Sequence, residues 1–253
     1  MSSTRRFEKM VVIVTGASRG IGKAIALAFA AEGADIVLNY ASNHAAAEMA
    51  KVEIEQLGGR CVLVGGSVGD PAVATSLAAA AMREFGRIDV LVNNAGIAKD
   101  GHLMMLSEET WKNVLDVNLH GMFYCTRAVL DAMIAQGSGA IVNMSSSAAL
   151  RGRAGQVPYA ATKGAVMGLT KQFAKEVGPF GIRVNAIAPG FIDTEMVDGL
   201  LGRPGVRDAF IAATPVRRIG AVEDVAATTL FLASSESAYI TGEVTAINGG
   251  LLL

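Results

Sequence analysis

Residues 10–22 read Met10-Val11-Val12-Ile13-Val14-Thr15-Gly16-Ala17-Ser18-Arg19-Gly20-Ile21-Gly22. A β-branched run ends in a glycine turn, and a helical pattern follows over about 21–32. Strand, glycine turn and helix in this order predict the opening of a βαβ unit. Gly16 permits the tight turn, Gly20 lets the backbone approach a pyrophosphate, and Gly22 allows helix to pack closely on strand. The helix N-terminus would offer amide donors and the positive end of a dipole to that pyrophosphate.

Working outward, further β-branched runs occur at 35–39, 61–65, 88–92, 140–144, 182–188 and 244–247. Helical patterns lie between them at about 44–57, 71–85, 107–135, 158–178 and 222–233. Such alternation predicts an α/β fold of about seven parallel strands with helices on both faces. Right-handed crossovers make it a doubly wound Rossmann architecture, expected as a single domain over 1–253. The stretch 190–220 interrupts the alternation and carries Gly190, Gly199, Gly202, Pro204, Gly205 and Pro215. It is too long for an ordinary loop and is expected to be a small helical insertion, a lid at about 191–219.

Hydrophobic residues make up 51% of the chain and charged residues 18%, which suits strands covered on both faces. The net charge of −1 gives no reason to expect nucleic acid or an anionic membrane as a partner. No segment approaches the roughly 18 apolar residues of a membrane span. Arg5 and Arg6 precede the apolar run at 10–15, but that run is too short for a signal segment and ends in the glycine turn, so a cytoplasmic protein is expected. Cys61 and Cys125 sit in apolar contexts and read as buried free thiols. Neither Cys-x-x-Cys nor His-Glu-x-x-His is present, so no metal site is expected.

Tyr159 and Lys163 stand four apart in the pattern 158–178, so on a helix both reach one site. A neighbouring ammonium favours phenolate and is expected to lower the tyrosine pKa from its free value near ~10. Tyr159 could then exchange a proton with a carbonyl or alcohol oxygen. Taken alone, such a pair is more often one face of an amphipathic helix, and the run Ser145-Ser146-Ser147 more often a turn or cap. Further motifs are Asn93-Asn94-Ala95-Gly96 after the fourth predicted strand, Asn118 in the next helix, Ser146 after the fifth strand, and Pro189-Gly190 after the sixth.

Together with the spacing Gly16-x-x-x-Gly20-x-Gly22, these residues resemble the short-chain dehydrogenase/reductase family over nearly the whole chain. The resemblance implies an enzyme that moves a hydride between NAD(P) and a carbonyl or secondary alcohol. It implies Asn118, Ser146, Tyr159 and Lys163 as the catalytic group: Ser146 on the substrate oxygen, and Asn118 holding a water in a proton relay to the lysine. It also implies a cofactor site formed by Gly16, Ser18, Arg19, Gly20, Ile21, Gly22, Tyr40, Ser67, Val68, Asn94, Ala95, Gly96, Tyr159, Lys163, Pro189, Gly190, Ile192 and Thr194, with Thr194 on the nicotinamide amide.

An NAD enzyme usually carries an acid at the end of the second strand, a position aligned here with Tyr40. No acid there repels a 2′-phosphate, and Arg19 resembles a family marker for NADP. NADP is therefore the expected cofactor, with NAD the alternative. Ser67 stands where relatives carry an acid toward the adenine amine.

The sequence looks most like the 3-oxoacyl-acyl-carrier-protein reductase branch. However, the turns Ala135-Gln136-Gly137-Ser138 and Gly178-Pro179-Phe180-Gly181 lack the basic residues that relatives present to the acidic carrier, and Arg127, Arg151 or Arg153 would have to substitute. A small ketone, sugar, polyol or acyl thioester substrate stays open, as does a catalytically silent nucleotide sensor. His44, His102 and His120 are placed by no motif, and Trp111, Met104, Met105, Met122, Met133 and Met196 are expected in core, interface or lid. Family resemblance also implies a homotetramer on the helices at 107–135 and 158–178, which carry Met122, Phe123, Val129, Leu130, Val166, Leu169 and Phe173. The apolar tail Leu251-Leu252-Leu253 would lie near a second interface.

Overall fold

The computed structural model describes residues 5–252. Seven strands form one sheet in the order β3-β2-β1-β4-β5-β6-β7, with every pairing parallel. They are β1 (Val11–Val14), β2 (Asp35–Tyr40), β3 (Cys61–Gly65), β4 (Val90–Asn93), β5 (Gly139–Met144), β6 (Ile182–Pro189) and β7 (Val244–Ile247). Nine α-helices occur among the described residues: α1 (Gly20–Ala31), α2 (His44–Gln56), α3 (Pro71–Phe85), α4 (Glu108–Leu115), α5 (Gly121–Gln136), α6 (Val157–Val177), α7 (Glu195–Leu201), α8 (Val206–Ala213) and α9 (Val222–Ala233). The doubly wound order follows from parallel strands that need helical crossovers, and the order reverses between β1 and β4.

Strand side chains alternate between two cores. Val12, Val14, Ile36 and Leu38 face α1, α2 and α9, where Ile25, Phe29, Ile54, Val225 and Leu230 cover them. Val11, Ile13 and Val37 face α3, α5 and α6, where Leu77, Ala81, Val129, Met133 and Ala174 cover them. Because both faces are covered, β1 is buried at every position, which is why the strand reads as an unbroken apolar run.

The expected single helix at 107–135 is divided. Ser107 caps α4, and a π-turn at Asp116–His120 carries the chain into α5. Asn118 supplies the cause: its side chain bonds both backbone groups of Ile97, and Gly121 just after it packs on Val68. A π-turn accommodates these two attachments better than an unbroken α-helix. Other boundaries fall within two residues of the sequence reading. The segment 191–219 contains two short helices, α7 and α8.

Candidate active site

Parallel strands bring all their carboxyl ends to one edge, and the residues singled out in the sequence collect there. The glycine turn after β1 is held from three directions. Asn39 is buried in β2; its Oδ1 accepts from Gly16 N–H at 3.1 Å, and its Nδ2 donates to the carbonyls of Val64 and Gly66. Asn94 Nδ2 donates to the carbonyls of Thr15 and Gly16 at 2.9 and 3.0 Å. Thr15 Oγ1 accepts from the backbone N–H groups of Asn94 and Ala95. Gly16 has φ +62°, and a Cβ there would meet Ala95 Cα at 2.9 Å. At Gly22 a Cβ would meet Asn94 Nδ2 at 2.4 Å, so its closest neighbours are the turn and Asn94. Asn39 was not singled out in the sequence. A polar residue inside a strand that is otherwise buried was the available signal.

Arg19 occupies the N-cap of α1, yet no side chain caps this helix and its first turn contains no acid. The leading amides are therefore free of side-chain acceptors, and the backbone at Gly20 is exposed. An uncapped helix N-terminus behind a glycine turn fits the pyrophosphate of a dinucleotide. Tyr40 ends β2, with its hydroxyl 2.8 Å from His44 Nδ1 and its ring beside Gly65, and presents no carboxylate. Ser67 is exposed at the end of β3, and Val68 is buried against Gly121. Gly190 N–H donates to Ile247 O at 2.8 Å, tying the end of β6, at Pro189, to β7. Ile192 is buried and bridged to Gly220, so its side chain serves packing. Ser18, Ile21 and Thr194 lie half-buried at the same edge.

The four residues of the expected catalytic group converge. Tyr159 and Lys163 share one face of α6, and the Lys163 Nζ lies 5.7 Å from the Tyr159 ring centroid. Lys163 is buried and donates from Nζ to Met144 O at 2.7 Å; burial brings its ammonium down to about 8. The Tyr159 phenol is pushed up from its ordinary value by burial, an effect that the neighbouring Ser146 hydroxyl opposes and the Asp100 charge reinforces. The expected lowering is not what the site gives: removal from water is the largest influence on the phenol, and it acts upward. Within the serine run, Ser145 is buried and its hydroxyl donates to Lys163 O at 2.7 Å. Ser146 caps the turn at Ser147–Ala149, accepting from Ala148 N–H at 3.1 Å, and remains beside Tyr159. Asn118 Oδ1 accepts from Ile97 N–H at 2.8 Å, and its Nδ2 donates to Ile97 O and to Thr162 Oγ1. Both Nδ2 hydrogens are thus used within the protein, which leaves a second lone pair on Oδ1 and the backbone of the π-turn to hold a water. Asn93, whose buried Oδ1 has no hydrogen-bond partner among the described residues, lines a small cavity with Thr15, Asn118, Met144 and Lys163 that suits a water.

Above this floor, Asp100 pairs with Arg153 and accepts from Gln156 Nε2 at 3.2 Å, while Gly101 N–H donates to Gly155 O at 2.8 Å. These contacts join the loop after β4 to the loop before α6. Arg153 thus has an acid beside it, in a pair whose side chains are partly exposed. Gln136 is likewise engaged, bonding both backbone groups of Ile88. Leu103, Met104, Met105 and Leu150 are exposed around these two loops, so Met104 and Met105 are not core residues. Among the described residues no group of three or more His, Cys, Asp or Glu is arranged to hold a metal, and no helix is long and apolar enough to cross a membrane. Cys61 and Cys125 are free and buried, and burial pushes both thiols up to about 12.

A family model described as enoyl-(acyl carrier protein) reductase matches residues 16–252. With the sheet, the glycine turn and the Tyr159–Lys163 pair, this match defines the class: the chain belongs to the short-chain dehydrogenase/reductase family of oxidoreductases. Within that class its sequence is 44% identical over 244 residues to the 3-oxoacyl-[acyl-carrier-protein] reductase of Synechocystis sp., covering 96% of this chain and 97% of the relative. It is also 44% identical to the enzyme of that name from Thermotoga maritima, covering 98% and 100%. The structure is similar to a gluconate 5-dehydrogenase from Burkholderia cenocepacia in complex with NADP and tartrate, with TM-score 0.92, 33% identity, and 98% and 97% of the two chains covered.

Proposed function

We propose that the chain is an NADPH-dependent reductase of 3-oxoacyl thioesters. The observation that carries this reading is the convergence of Tyr159, Ser146 and Lys163 beside an uncapped helix N-terminus at the switch point of the sheet. The 44% identity to 3-oxoacyl reductases over nearly the full chain supports the substrate class. The exposed Leu103, Met104, Met105 and Leu150 offer apolar surface to an acyl chain.

NADPH, when bound, supplies the hydride. The amides of α1 would hold its pyrophosphate, Arg19 the 2′-phosphate and Thr194 the nicotinamide amide, while Asn39 and Asn94 keep the glycine turn in shape. Tyr159 donates a proton to the substrate oxygen, and its raised pKa keeps that proton in place at neutral pH. Ser146 donates a hydrogen bond to the same oxygen as charge gathers on it. With a pKa of about 8, Lys163 stays mostly protonated at pH 7 and stabilises the phenolate left on Tyr159. The backbone at Asn118 positions a water from which that phenolate is reprotonated through Lys163.

The segment 191–219 serves as a lid on the same domain, closing over nicotinamide and substrate. Assembly is a homotetramer with two-fold axes in the cytoplasm. Phe123, Leu130, Leu169 and Phe173, which stay exposed or half-buried, would be its contacts, whereas Met122, Val129 and Val166 are consumed by the subunit's own core. Leu251 is also covered within the subunit; Leu253 lies outside the described residues.

A second reading, reduction of a sugar acid or polyol ketone, is favoured by the likeness to the gluconate 5-dehydrogenase. Oxidation of NADPH measured with acetoacetyl-CoA, an acetoacetyl carrier protein and 5-ketogluconate separates the readings. Turnover with the thioesters well above the keto acid is expected. Preference for the keto acid would establish the second reading, and binding of NADPH without turnover across a broad ketone panel would point to a sensor.

A further inference from the structure

The cation expected to receive the 2′-phosphate already has a partner. Arg19 Nη1 lies 2.5 Å from Glu195 Oε2, a contact between residues 176 positions apart in the chain. Glu195 is the first residue of α7 and so opens the helical part of the segment 191–219. The neighbouring Thr194 lies over the glycine turn, with its Cγ2 3.8 Å from the position a Cβ would take on Gly20. The side chains of Arg19 and Glu195 are 67% and 66% exposed, so the pair is a screened surface contact that an arriving anion can open.

We propose that Glu195 is a specificity-determining residue that acts against the 2′-phosphate and couples its binding to the lid. This rests on the NADPH reading above. A 2′-phosphate must take Arg19 from Glu195 and then sit beside the carboxylate left behind. Both steps oppose NADPH, and neither touches NADH, whose 2′-hydroxyl carries no charge. The phosphate therefore exchanges one Arg19 contact for another and detaches the start of α7 from the glycine turn. NADH leaves that attachment in place. Tyr40, at the end of β2, contributes no second acid.

The test is a double-mutant cycle on cofactor dissociation constants, read by fluorescence of the bound reduced nicotinamide without substrate. Wild type, Glu195→Gln, Arg19→Ala and the double variant are titrated with NADPH and with NADH at low and at 0.5 M salt (roughly one Debye length of 10 Å against about half that). Glu195→Gln is expected to tighten NADPH roughly three- to tenfold at low salt and to leave NADH unchanged. The gain should shrink at high salt and be smaller in the Arg19→Ala background, where only the repulsion between carboxylate and phosphate remains. An equal change for both cofactors, no change for NADPH, or a gain undiminished without Arg19 would overturn the proposal. Wild type that binds NADPH more tightly only through Arg19, yet does not respond at Glu195, defeats this inference alone. Wild type that prefers NADH with no effect of Arg19→Ala defeats the NADPH reading as well.

Discussion

Lys163 carries the clearest conflict between stability and chemistry. Its ammonium is buried with one protein acceptor, Met144 O, and burial lowers its pKa from 10.5 to about 8. Below pH 8 both folded and unfolded chains hold the proton, and the full penalty for burying it is present. Between about 8 and 10.5 the unfolded chain binds more protons than the folded one, so stability rises with pH in that window. The rise should approach about 1.4 kcal/mol per unit and total ~3 kcal/mol. Urea unfolding of wild type and Lys163→Met across pH 7–10 should show wild type gaining on the variant; parallel curves would mean the buried ammonium is not destabilised. The Tyr159–Lys163 pair was legible because a four-residue spacing on a helix is geometry contained in the chain. The engagement of Asn39 with Gly16, or of Asp100 with Arg153, was not, because the partners are 23 and 53 residues apart and meet only through the fold.

Among the elements, the turn between β1 and α1 is the least tolerant. A Cβ at Gly22 would approach Asn94 Nδ2 at 2.4 Å and Gly16 O at 2.5 Å, and the latter is fixed backbone. Gly22→Ala should cost roughly 1–3 kcal/mol of stability and weaken dinucleotide binding as the turn shifts. Thermal unfolding and cofactor titration check this, and an unchanged variant would show the turn to be more compliant than its packing implies. The lid belongs to this scale too. Amides at 191–219 should exchange readily in the free protein and become protected when cofactor and a substrate analogue bind. Strong, equal protection in both states would make the segment fixed structure. Strand and helix positions were read closely from the sequence because β-branched runs and helical periods are local signals. The π-turn at Asp116–His120 left no such signal: it answers to attachments of Asn118 and Gly121 to other parts of the chain.

For the whole molecule, parallel pairing of all seven strands places every candidate residue at one edge, so one site can draw on turns far apart in sequence. Exposed and half-buried apolar residues on α5 and α6 point to association, and sedimentation at micromolar concentration should give a tetramer. A stable monomer would contradict that assembly. The sequence overstated this surface, because periodicity does not tell a core-facing Met122 or Val166 from an outward Phe123. The central claim is that Tyr159 supplies the proton in NADPH-driven ketone reduction. Its most direct test is single-turnover oxidation of bound NADPH by an acetoacetyl thioester, comparing wild type with Tyr159→Phe. The variant is expected to bind NADPH with unchanged affinity and to lose at least a hundredfold in rate, roughly the contribution of a positioned acid. A variant that oxidises NADPH at close to the wild-type rate would show that the proton comes from another group.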